Sequence, residues 1–247
     1  MIAYTSYAEN LTRRILAGAG GLSLVPYRVD PQAYVSVLAH GVDPSGRVLV
    51  LCAVEDAELI GDTAVRVDSV KKALEFDVDI TVASLHALAH ISWLAEGEGV
   101  AGFGYHPISH LRVGVLELDT IYVRDPHGTT KSEFSDLMPG VLEAGASFDE
   151  LDARNEIGRL SFSQLSGLVA GVSMGVLPGF ILSDREQSLC GAHQNRIWVA
   201  DVDRHGVVLF RAGERRITTA MVRFPEQVDS LADLAEAVAA LAEQVSV

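Results

Sequence analysis

The last fifty residues constrain the fold most. Residues 197–201 and 207–210 are apolar runs folded about Asp203-Arg204-His205-Gly206, and a third run, 217–222, follows Ala212-Gly213-Glu214. Short apolar runs separated by turn-forming residues read as a β-meander. Residues 230–243 then carry helical spacing: Ser230 suits an N-cap, and Leu231, Leu234, Val238 and Leu241 fall on one face. The chain therefore ends in a three-stranded meander closed by a helix.

The front half is strand-rich. Residues 34–40 and 47–54 pair around the turn formers in Gly41-Val42-Asp43-Pro44-Ser45-Gly46, and 64–68 and 78–82 add two short strands. From Leu85 to Trp93, Leu85, Ala87, Ala89, Ile91 and Trp93 alternate with His86, His90 and Ser92, the period of a strand. Residues 113–123 form another, with two adjacent apolar residues at Val115-Leu116 that predict a bulge. Five or six strands with little helix predict an antiparallel barrel or sandwich over residues 30–125. Ala8, Leu11 and Ile15 share one face of an N-terminal helix ending near Gly18. The Arg13-Arg14 pair loosely mimics a twin-arginine export signal. The apolar stretch after it is short and glycine-broken, so the amphipathic helix is the better reading. Residues 132–147 read as a connector, and 148–174 regain helical spacing through Leu151, Ile157, Leu160, Leu165, Leu168 and Val169.

Charge and cysteine usage exclude several functions. A net charge of −14 over 247 residues repels phosphate backbones, so nucleic acid is not an expected partner. Cys52 lies in an apolar run and reads as core, and Cys190 is far away with no CxxC spacing. That excludes a cysteine-rich zinc site. No segment reaches the ~18 apolar residues of a membrane span, so no membrane partner is expected and a cytoplasmic protein is.

Three stretches carry a family resemblance. They are residues 8–17; Val65-Arg66-Val67-Asp68 with Ala83-Ser84-Leu85-His86; and, at the C-terminal end, 202–207, 222–226 and 231–234. Together they resemble the split-barrel proteins, which include flavin-binding pyridoxamine-phosphate-oxidase relatives and bacterial haem-utilisation proteins. The resemblance implies an α+β fold: an N-terminal helix plus split antiparallel β-barrel over 1–130, then a smaller αβ module over 148–247. That module comprises a helix, a three-stranded meander and a C-terminal helix. It also implies a homodimer and a haem-related, tetrapyrrole-binding role, with no catalytic residue identified. The alternatives are an FMN-dependent oxidoreductase and an interaction module that has lost its cofactor. FMN is the less favoured cofactor: Lys71-Lys72 with Arg66 is the only basic cluster comparable to the family's phosphate-neutralising residues, and Glu75, Asp77 and Asp79 follow it at once. The histidines that relatives carry in the helix before the meander are missing from 160–170.

The chemistry-bearing residues are mostly histidines. His86/His90 and His106/His110 both have His-x-x-x-His spacing. On a strand that spacing holds two imidazoles roughly 13 Å apart, too far to share an ion. Pro107 disfavours a helix through His106 and His110. His86 and His90 are therefore expected on the outer face of a strand, and no metal site is expected. For a tetrapyrrole, His106, His110 and His193 are the candidate ring contacts, with Arg66 and Lys71 as charge partners for its carboxylates. Gly171-Val172-Ser173-Met174-Gly175 matches Gly-x-Ser-x-Gly, but it follows a helical stretch rather than a strand and reads as a helix end. Ala101-Gly102-Phe103-Gly104 has no helix after it to cradle phosphate.

Overall fold

The computed structural model describes residues 2–104, 110–142, 148–187 and 190–245. Contacts divide the chain into two units, Met1–Lys71 with Ala83–Gly145, and Lys72–Val82 with Ala146–Val247.

The first unit opens with α1 (Ile2–Leu16), which buries Tyr7, Ala8, Leu11, Ile15 and Leu16 and stops before Gly18, at φ 118°. Its strands are β1 (Gly21–Val25), β2 (Val35–Ser36), β3 (Ala39–Val42), β4 (Val48–Ala53), β5 (Thr63–Lys72), β6 (Thr81–Trp93), β7 (Leu111–Arg124) and β8 (Thr129–Glu133). Two short helices, α2 (Val54–Ile60) and α3 (Phe134–Leu137), complete it. The sheet order is β2-β1-β5-β6-β7-β4-β3, with β8 pairing β7. The two residues between β2 and β3 join its ends: Val37 N–H donates to Leu22 O on β1 at 3.1 Å and Leu38 N–H to Leu51 O on β4 at 2.8 Å. The sheet is strongly curled, an antiparallel half-barrel.

Along β6 the predicted alternation holds: Leu85, Ala87, Ala89 and Ile91 are buried while His86, Leu88 and His90 are exposed. The bulge sits elsewhere than expected. The register slips between Ala87/Ile121 and Ala89/Leu118, placing the extra residue at Asp119-Thr120, whereas Val115 and Leu116 pair regularly with Ser92 and Ile91. Adjacent apolar residues are tolerated there because both faces are covered. Leu116 is buried, and Val115 packs against a separate cluster of Leu49, Leu51, Val100 and Val113.

The second unit contains α4 (Glu150–Ile157), α5 (Phe162–Ser173), β9 (Gly179–Glu186), β10 (Arg196–Asp203), β11 (Gly206–Ala212), β12 (Arg216–Arg223) and α6 (Leu231–Gln244). The meander and terminal helix form as read, but β9 adds a fourth strand, giving the order β10-β11-β12-β9. The helical stretch is two helices, each with its own cap. The Asp149 carboxylate accepts from the N–H groups of Leu151 and Asp152, and Ser161 with Gln164 forms a capping box. Leu165, Leu168, Val169 and Val172 of α5 and Leu234, Val238 and Leu241 of α6 pack with Val199, Val207, Leu209 and Val222 of the sheet in one core. Asp203 shapes the predicted turn, its Oδ1 accepting from His205 N–H at 2.8 Å and Gly206 N–H at 3.1 Å.

Candidate functional site

A cleft of about 430 Å³ opens in the second unit. Three pieces of chain line it. The segment after β5 contributes Glu75, Phe76 and Asp77, the helices contribute Arg154, Gly158, Phe162 and Leu165, and 195–199 contribute Asn195, Arg196, Ile197, Trp198 and Val199. Small-molecule sites run to roughly 300–1,000 Å³, mostly apolar with a few placed polar groups, and this cleft matches that description.

Local chemistry explains how the pieces meet. The loop after β5 is closed by Ala73 N–H donating to Ile80 O at 2.9 Å. Its two carboxylates then reach β10, the outermost strand of its sheet. Glu75 accepts Val199 N–H at 3.2 Å and the Arg154 guanidinium at 2.5 Å, and its side chain is only 5% exposed. Asp77 accepts Trp198 Nε1–H at 3.1 Å and Arg196 at 2.8 Å. Two acids and two arginines therefore balance inside one cleft. Four features remain unresolved by that pairing. Arg154 Nε is buried without a hydrogen-bond partner among the described residues, and so is His193 Nδ1. Phe76 is 92% exposed. Asn195 has φ 55°, the one non-glycine residue at positive φ among those described. Such backbone outliers concentrate at ligand sites.

The residues singled out from sequence fall in different places. His193 sits at the end of a short 3-10 turn, Gly191–His193, with its ring 5.9 Å from that of Trp198, which lines the cleft. His110 belongs to the first unit, is exposed, and offers its backbone carbonyl to Val54 N–H at 3.0 Å. His106 lies outside the described residues. Arg66 and Lys71 are both on β5 but on opposite faces: Arg66 is exposed and pairs with Asp68 at 2.8 Å, while Lys71 is buried. They do not converge on one ligand. His86 is exposed and meets Asp68 at 2.7 Å. Ser173 lies inside α5 with its hydroxyl donating to Val169 O at 2.9 Å, a helix end as read. Cys52 is fully buried, and burial, reinforced by Asp56, pushes its thiol up to about 12, which removes it from thiolate chemistry. No group of three or more potential ligands gathers as a metal centre among the described residues.

Glu75, Asp77, Arg154 and Arg196 were not legible as a site. The one available signal was the spacing Leu74-Glu75-Phe76-Asp77, acids alternating with large apolar residues outside any strand.

No protein-family model and no curated protein matches the chain. Among solved structures it is similar to a haem binding protein from Mycobacterium smegmatis, 14% identical over 96% of each chain with a TM-score of 0.50. It is also similar to a protein of unknown function from Agrobacterium tumefaciens, 16% identical over 96% of each chain with a TM-score of 0.40. The first likeness supports a related fold across nearly the whole of both chains. Among the described residues, no helix is long and apolar enough to cross a membrane.

Proposed function

We propose that this protein binds a tetrapyrrole, haem being the expected form, in the cleft of its second unit. The half-barrel is then of the split-barrel kind, the second unit is its C-terminal module, and the molecule works as a homodimer. The observation that carries the reading is His193 beside Trp198. A half-buried imidazole with an unmatched ring nitrogen costs about 1–3 kcal/mol unless a bound group reaches it. Imidazole is a frequent axial ligand of haem iron. Phe162, Leu165 and Ile197 give a flat ring apolar surface in the cleft, which Trp198, the neighbour of His193, also lines. The fold relation to a haem binding protein supports the same reading.

The test is a visible spectrum of the purified protein titrated with haem. Wild-type protein gives a saturable, shifted Soret band, His193→Ala loses the shift or weakens binding at least tenfold, and His110→Ala matches wild type. A Soret shift unchanged in His193→Ala removes that ligand assignment. A flavin band in the purified protein points instead to the FMN-dependent reading, and the lack of any response to haem or FMN to a module without a cofactor.

A further inference from the structure

The segment Leu74-Glu75-Phe76-Asp77 is turned inside out. A loop in water ordinarily exposes its acids and buries its apolar side chains; informative exceptions are buried charges and exposed large apolar groups. Here the Glu75 side chain is 5% exposed, whereas Phe76 is 92% and Leu74 40% exposed. Both acids face arginines at the cleft, Glu75 on Arg154 and Asp77 on Arg196. Removing a carboxylate from water is costly unless it is paired; this loop does so at Glu75 and holds Asp77, half-exposed, on a second arginine, while leaving an aromatic ring in solvent.

We propose that Glu75 and Asp77 are built-in stand-ins for the two carboxylates of the ligand, and that Arg154 and Arg196 are its carboxylate receptors. The inference rests on the tetrapyrrole reading and narrows it to a ring bearing two carboxylates on one edge. Arginine presents a planar fork of donors that pairs with whichever carboxylate is offered, so one carboxylate can replace another without loss of pairing. Arg154 Nε, buried and unmatched in this structure, is an additional donor for the incoming group. Exchange releases the loop from the Val199 and Trp198 N–H groups. Phe76, tethered between the two displaced acids, then covers the face of the bound ring. Asp77 is the easier to displace: its side chain is 48% exposed, against 5% for Glu75.

The experiment compares protoporphyrin IX, a dicarboxylate without iron, with its dimethyl ester in the same detergent buffer, by fluorescence titration. The diacid should bind wild-type protein at least tenfold more tightly than the ester. Glu75→Gln/Asp77→Asn keeps acceptors for Val199 and Trp198 but removes the competing charges, so it should bind the diacid about tenfold more tightly than wild type. Arg196→Gln should remove most of the diacid's advantage over the ester. Equal binding of diacid and ester overturns the proposal, and that comparison needs no variant. No gain in the double variant overturns it as well, as does failure of both porphyrins to bind either protein. Discrimination that persists while the haem Soret shift ignores His193→Ala leaves this inference standing and removes the axial assignment.

Discussion

The two sheets of this protein bury their residues differently. In the half-barrel, buried and exposed residues alternate along 65–72 of β5 and 85–91 of β6, and His86, Asp68 and Arg66 meet on the outer face, Lys71 being a charged group that β5 buries. In the smaller sheet, β10 is buried at every residue from Trp198 to Asp203, and β11 at its first four, so neither face is free. Charge is drawn inward there: Asp201 and Asp203 are buried, and Glu75 caps a backbone N–H of the edge strand. An outer sheet face holds side chains in solvent, where an ion pair contributes little. A cleft between a sheet edge and helices removes charges from water and makes each pairing consequential. The histidines that stand out by spacing in β6 decorate the first kind of surface. The acid–arginine pairs, which have no spacing signature, build the second.

The contrast can be broken by mutation, beginning with the core. Leu209→Ala empties a fully buried position between sheet and helices and should lower stability by about 3 kcal/mol, measured by denaturant unfolding. Leu88→Ala, exposed on the half-barrel, should change it by less than about 0.5 kcal/mol. Next comes Gly179→Ala. Its φ is 149°, and an added Cβ would lie 2.1 Å from Met221 O, so β9 must shift away from β12 at a cost of about 1–3 kcal/mol. Loss of amide protection confined to β9 and β12 would confirm it. In the first unit the sensitive group is His40, buried, its ring N–H bonded to Ile15 O at 2.7 Å. Burial lowers its pKa more than that bond raises it. The unfolded chain therefore binds the proton more readily, and stability falls as pH drops below about 6.5. His40→Gln should flatten that part of the stability–pH curve. Ser230→Ala removes the cap accepting Asp233 N–H and should cost about 1 kcal/mol, measured by denaturant unfolding.

Legibility followed the same division. Period-two alternation in 85–91 placed a strand and its faces because one side meets solvent, and the meander turns showed through Asp203 and Gly206. The terminal helix declared itself through Ser230 and its apolar stripe. Strand β9 did not: Gly179-Phe180-Ile181-Leu182 has no alternation, and Ser183-Asp184-Arg185-Glu186 looks like a loop, since Asp184 finds its partners, Arg216 and Thr218, only across the sheet on β12. The two helices α4 and α5 read as one stretch because both contribute apolar residues to one core, Ala153 and Ile157 from α4 and Leu165, Leu168 and Val169 from α5, and the break lies in Gly158 and the Ser161 cap. The cleft was hidden most deeply. Glu75 and Arg154 are 79 residues apart, and nothing local marks either as buried.

Amide hydrogen exchange with and without haem tests the central claim most directly. Binding in the second unit predicts altered exchange at 154–165 and 195–199, deprotection of Val199 as Glu75 lets go, and no change along 84–92 or 113–123. Haem-dependent protection confined to β6 and β7, with 195–199 untouched, would contradict it.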